Sequence, residues 1–293
     1  MDLFSEIKKL LLGPMSSRRS ILGVFIALFA VIFLTAVTEF GGVILWFSYG
    51  FGEIIANRKQ GYQSLFTAAA FLFVYGISTV VVVPFVAPLF GRVALNCFAT
   101  EAHPYQANSV LYCAFNRNYV QPRVKSMLEE LADHMENKFP GTVVSYLDAN
   151  FPFVNGIPLL PHLSHSDGKK LDVALFYNEQ DSGMPLSKGG GWMIGYWNFA
   201  PSWHYEKKQV CANDGSLRWK FIWLQSIFSN LTLDLDRTSE MLNHLSLGNA
   251  SKPIQKVFIE PYLVEILNVR SDKIKFAGCN AARHDDHIHF QVD

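Results

Sequence analysis

Two uncharged apolar stretches limit what this chain can become. From Ile21 to Val37 no residue carries a charge, and from Leu65 to Phe90 a longer run is equally free of charge. Each is long enough, as a helix, to cross a hydrocarbon core of roughly 30 Å. Such stretches leave only a membrane-spanning helix or a fully buried core helix as solutions. No small-residue cleavage pattern follows the first run, so a removed signal peptide is the poorer reading. Two or three transmembrane helices are therefore expected within residues 1–93. The number turns on Phe40–Ala56, an apolar but short and Gly-rich piece that suits an interfacial helix, a re-entrant segment or a third crossing.

Orientation follows from the basic residues. Lys8, Lys9, Arg18 and Arg19 precede the first run, which puts the N-terminus in the cytoplasm. Two crossings then return the rest of the chain to the cytoplasm, and three place it outside. Three crossings suit Arg58 and Lys59 better, because both then lie inside. The 25 basic and 25 acidic residues cancel, so nothing points to a nucleic-acid partner. The four cysteines, Cys97, Cys113, Cys211 and Cys279, all follow the second run. An even number on one side of a membrane is compatible with disulfides in an oxidising compartment, although four cysteines allow three pairings and buried free thiols fit as well.

After the membrane region, residues 94–121 read as a connector and residues 122–293 as a separate domain. Pro122 opens a helix to about Lys138, striped by Val124, Met127, Leu128, Leu131 and Met135, and Phe139-Pro140-Gly141 stops it. Strands are expected at Thr142–Leu147, Leu171–Tyr177, Val257–Glu260 and the C-terminus. A mainly helical stretch at Arg218–Leu247 breaks near Asn230–Asp236, and a short helix covers Tyr262–Val269. Strands and helices without regular alternation give an α+β class.

The chemistry concentrates in two places. The chain ends Arg283-His284-Asp285-Asp286-His287-Ile288-His289-Phe290-Gln291-Val292-Asp293, an alternating strand pattern. His287, His289 and Gln291 share one face, and Ile288, Phe290 and Val292 the other, towards a core. Upstream, His162, His165, Gly168 and Asp172 form a second polar cluster. Imidazoles and a carboxylate drawn from two distant segments are the ligand set of a catalytic zinc site with one open position. Zn²⁺ at such a site lowers the pKa of its water to about 7. Gly168 would let the backbone turn so that His165 and Asp172 converge. Asp285 or Asp286 could orient an imidazole from behind. His204 is a weaker site candidate. Trp192, Trp197 and Trp203 suit either packing or a substrate groove, and His103, His134 and His244 read as ordinary surface or core residues.

The order His-x-x-Gly-x-x-x-Asp (His165, Gly168, Asp172) followed by His-x-His (His287, His289) resembles the LAS-type zinc peptidases, which include D-Ala-D-Ala peptidases and the hedgehog signalling domain. It is most similar to the penicillin-insensitive murein endopeptidases, where a further His precedes the first motif, as His162 does here, and the second is extended, as by His284 and Asp285. The stretch Lys256–Pro261 also resembles the strand before that last motif. The resemblance covers roughly residues 120–293 and leaves the membrane part unaccounted for. It implies an antiparallel-sheet zinc domain with His165, Asp172 and His289 as metal ligands and His287 as general base or transition-state stabiliser. His284 would assist catalysis, and His162 and His284 would shape the site or hold a second metal; His204, which no motif of the family covers, is a further candidate for that last role by its place after the glycine-rich stretch. It further implies a zinc metallopeptidase cutting peptidoglycan peptides; joined to the two apolar runs, this gives the expectation of a membrane-anchored enzyme held in the inner membrane, with the catalytic part in the periplasm where that substrate lies. A zinc-containing binding or signalling module without turnover and a D,D- or L,D-carboxypeptidase are the alternatives.

Overall fold

A computed structural model describes residues 3–16, 20–56, 62–199, 211, 218, 223, 230–247 and 254–293. The chain divides into two compact units, Met1–Phe90 and Gly91–Asp293.

The first unit is helical: α1 (Leu3–Leu12), α2 (Ile21–Thr38), α3 (Gly41–Ala56) and α4 (Gln63–Ile77). Ser20 caps α2 by accepting from Gly23 N at 3.2 Å. The helix begun by α4 continues through a π-helical stretch at Ser78–Val82, α5 (Val83–Val86) and a 3₁₀ turn to Phe90. Pro84 has no N–H and its ring would clash with the carbonyl four residues back. A local widening of the helix at that point is the expected accommodation. Ile21–Thr38 and the 28 residues Gln63–Phe90 are long and apolar enough to cross a membrane. Their Phe25, Phe29, Phe33, Phe73 and Phe85 side chains are exposed. At 16 residues α3 spans only about 24 Å. It packs on α1, α2 and α4 through glycines. A Cβ on Gly42 would meet Val31 O at 2.1 Å, and one on Gly52 would meet Thr67 Oγ1 at 2.1 Å. Small residues thus set the close approach of these helices.

The second unit is α+β. Its strands are β1 (Val93–Ala94), β2 (Tyr105–Ala107), β3 (Tyr119–Val120), β4 (Val144–Tyr146), β5 (Lys170–Ala174), β6 (Tyr177–Glu179), β7 (Leu231–Leu233), β8 (Ile254–Phe258), β9 (Ile274–Lys275) and β10 (His287–Val292). Its helices are α6 (Val110–Ala114), α7 (Pro122–Lys138), α8 (Leu235–Leu247) and α9 (Pro261–Ile266). Six strands form the main sheet in the order β2-β4-β5-β10-β8-β9. The β2–β4 and β8–β9 pairs are parallel and the others antiparallel.

Residues 94–121, expected as a connector, are instead folded into this unit. Tyr105–Ala107 is an edge strand of the main sheet, and Tyr119–Val120 pairs with β1. Short strands interrupted by polar residues lack a long periodic signal, so their pairing depends on partners distant in sequence. The expected strand at Leu171–Tyr177 divides, with β5 ending at Ala174 and Tyr177 opening β6 against β7. That partner, β7, occupies the helix break near Asn230–Asp236. The helix from Pro122 runs as its apolar stripe requires, with Val124, Met127, Leu128, Leu131 and Met135 all buried. Two disulfides, Cys97–Cys113 and Cys211–Cys279, use all four cysteines.

Candidate metal centre

The site is built on the central strand pair. In the antiparallel register of β5 with β10, His289 lies opposite Asp172, Ile288 opposite Val173 and Phe290 opposite Leu171. Side chains alternate across a sheet. Leu171, Val173, Ile288 and Phe290 therefore enter the hydrophobic core together, and Asp172 and His289 meet on the other face. Their contact is a hydrogen bond of 2.8 Å between His289 Nδ1 and Asp172 Oδ1. His165 arrives from the loop before β5. Its Nε2 lies 3.0 Å from His289 Nδ1 and 3.2 Å from Asp172 Oδ1. Gly168 turns that loop at φ +78, and a Cβ there would sit 2.5 Å from Arg92 Nε, so both conformation and packing demand glycine.

These three residues could hold a metal ion. The triangle of 2.8, 3.0 and 3.2 Å is close to the separation of about 3.3 Å between neighbouring ligands in a tetrahedral zinc site. His165 Nδ1 is 2.6 Å from Ala149 O, so that nitrogen carries the proton and Nε2 presents a lone pair. All three side chains are buried at the floor of a cleft of about 710 Å³, so any further coordination position faces the cleft.

A ring of charged and polar groups surrounds them. Asp286 hydrogen-bonds His287 Nδ1 and accepts from Trp197 N. His287 Nε2 is left 3.7 Å from Asp172 Oδ2. Tyr196 donates to Asp172 Oδ2 at 2.7 Å. His162 Nδ1 lies between Asp148 Oδ2, at 3.0 Å, and Asp172 Oδ2, at 3.2 Å. Arg117 holds Asp148 through two bonds, Nε to Oδ1 at 2.6 Å and Nη2 to Oδ2 at 2.7 Å. His284 stacks at a tilt 4.9 Å from His287, with its buried Nδ1 lacking a hydrogen-bond partner among the described residues.

Burial and charge oppose each other throughout. Burial would raise the Asp172 carboxyl, but His165 and His287 outweigh it and hold that group well below the usual carboxylate range. Burial would lower His287, yet Asp286 and Asp172 push it up to about 9. His289 is drawn down to about 4, chiefly by burial, against the pull of Asp172. His284 is held well below the ordinary histidine value by burial and then by His287 and His289. The result is a neutral pair, His284 and His289, beside a proton-holding His287.

Of the residues singled out in the sequence, the structure gathers His162, His165, Asp172, His284, His287 and His289 around one cleft. Asp286 is the acid that orients an imidazole. Asp285 instead takes Arg283 and, at 2.9 Å, Tyr262. Trp197 lines the cleft, Trp192 donates to Tyr196 O at 2.6 Å, and Trp203 and His204 lie outside the described residues. Arg117, Asp148 and Tyr196 escaped the sequence reading. The one local signal was Asp148 immediately after the expected Thr142–Leu147 strand, where a strand end commonly delivers a functional group. The chain matches no known protein-family model and no curated protein.

Proposed function

We propose that this protein is a membrane-anchored zinc metallopeptidase of the LAS type, acting on amide bonds in peptidoglycan peptides in the manner of a murein endopeptidase. One observation carries the reading: the Asp172–His289 cross-strand pair is closed into a ligand triangle by His165, with His287 beside it and backed by a carboxylate. Two imidazoles and one carboxylate suit zinc better than magnesium or calcium, which take oxygen ligands. Zinc bound there supplies Lewis acidity and an ionisable water at the open position.

The chain's own groups divide the remaining work. His165, Asp172 and His289 bind the ion, and the Ala149 carbonyl and Tyr196 hydroxyl orient two of them. Asp286 accepts from His287 Nδ1 and fixes that ring. With Nδ1 so committed, Nε2 is the atom left for the reaction, as transition-state stabiliser or general base. His284, kept neutral, offers an unpaired ring nitrogen to the substrate or leaving group.

The two disulfides and the peptidoglycan substrate favour an extracytoplasmic catalytic unit. That side agrees with a cytoplasmic N-terminus if α3 crosses as well as α2 and the Gln63–Phe90 helix. A reporter fused to the C-terminus is expected to be active on the periplasmic side.

The decisive assay is purified full-length protein with cross-linked muropeptides. Hydrolysis is expected to stop with a chelator and return with zinc. Zinc-loaded protein that leaves every cross-link intact would instead favour a binding module.

A further inference from the structure

The charges that line the cleft are spent on one another. Its acids, Asp148, Asp172 and Asp286, are all buried. Asp148 is held by Arg117 and His162, Asp172 by His289, and Asp286 by His287. The two arginines that reach the cleft are paired in the same way, Arg117 with Asp148 and Arg283 with Asp285. Arg283 also lies 4.0 Å over the Phe199 ring. Among the described residues no lysine, and no arginine without an acidic partner, lines the cleft. The walls are apolar instead, formed by Leu111, Phe115, Leu160, Leu163, Ile194 and Phe199. Leu111, Leu160 and Leu163 are 40%, 48% and 50% exposed. Apolar side chains left clustered in water mark a binding surface, and a cleft of about 710 Å³ has room for a bulky substrate group.

We infer that the cleft selects its substrate by an uncharged, apolar group next to the scissile amide, received by the wall that carries Leu111, Leu160 and Leu163. A carboxylate or ammonium pressed against that wall gives up its water and meets only counter-charges that already have partners. Each methylene buried there gains about fourfold in affinity. The inference rests on the peptidase reading for the bond that is cut, and it narrows the peptides that present it. Those with an aliphatic side chain beside the bond are preferred, those with an amidated carboxyl come next, and those with a free charge at that place come last.

The test is binding and turnover of a matched peptide series by zinc-loaded full-length protein in nanodiscs, with empty nanodiscs as the blank. Each peptide places D-norleucine, D-glutamine, D-glutamate or D-lysine beside a D-alanine, on one side of the amide or on the other. The norleucine, glutamine and glutamate side chains have nearly the same size, so the series varies charge and polarity. At one of the two positions norleucine should bind about tenfold tighter than glutamate or lysine, with glutamine between them. Leu111→Lys puts a cation on the wall and should turn the preference towards glutamate. Val110→Lys, at a 56% exposed neighbour outside the cleft lining, should leave it unchanged. Equal binding of norleucine and glutamate at both positions, the same preference in Leu111→Lys, or no binding of any peptide overturns the inference. Binding with the expected preference but without hydrolysis upholds it and counts against the peptidase reading alone.

Discussion

His165 Nε2 and His289 Nδ1 stand 3.0 Å apart although 124 residues separate them along the chain. Both touch the same oxygen of Asp172. Removing one of the three should therefore empty the site, while removing His287 should not. His165→Ala and Asp172→Ala are expected to lose bound zinc and all hydrolysis. His287→Ala should keep its zinc and lose about 10²- to 10⁴-fold in rate. Zinc content and muropeptide turnover measured on the same preparations check this. Full activity in His287→Ala would remove that residue from the reaction.

The ion pair of the partly buried Arg117 with the buried Asp148 predicts acid sensitivity. Burial would raise the Asp148 carboxyl, but Arg117 and then His162 bring it down to about 2. Its folded value is below its unfolded one. It therefore contributes roughly 2 kcal/mol of stability above about pH 4, lost as the pH falls towards 2. Arg117→Met leaves the carboxylate buried without its main partner and should cost about 3–5 kcal/mol at neutral pH. Urea unfolding of both proteins from pH 7 to pH 3 measures both effects, and a variant as stable as the wild type at neutral pH would refute the assignment.

Gly168 and Gly141 make a controlled comparison. Both have positive φ, +78 and +88, but a Cβ on Gly168 meets Arg92 and one on Gly141 meets nothing within 4 Å. Arg92 is itself held by Phe151 O at 3.0 Å and by Asn155. Gly141→Ala should cost about 1 kcal/mol through backbone strain alone. Gly168→Ala should cost clearly more and reduce zinc affinity, because it displaces the loop that carries His165. Melting temperatures and zinc titrations of the two variants decide it, and equal losses would count against the packing argument.

The disulfides should differ in value. Cys97–Cys113 closes 16 residues and Cys211–Cys279 closes 68. Loop-closure entropy then predicts about 3 kcal/mol for the first and about 4 kcal/mol for the second. Paired Cys→Ala variants, compared by chemical unfolding, should rank in that order.

Legibility in the sequence followed locality. The helix from Pro122 to Lys138 could be read because its start, stripe and stop lie within one short window. The two faces of the last strand could be read because side-chain alternation has a period of two. Each apolar helix of the first unit declares itself by composition. Edge strand β2 and the β6–β7 pair could not be read, since their stability comes from partners dozens of residues away. For the same reason the support of the site stayed hidden: nothing near Asp148 announces Arg117, and nothing near Asp172 announces Tyr196.

By itself the order of residues determined which groups were available, namely apolar helices of membrane length, imidazoles spaced two apart on a strand, and a carboxylate beyond a glycine turn. Periodicity and chemistry within a few residues suffice for that. Only the tertiary structure decided which of them meet. It set Asp172 opposite His289 rather than one residue out of register, a slip that would have turned the acid into the core. It also brought His134 against His244, two residues that look unremarkable apart. Strand register and helix docking are settled by burying one apolar face across the whole unit, a condition that no short window of sequence contains.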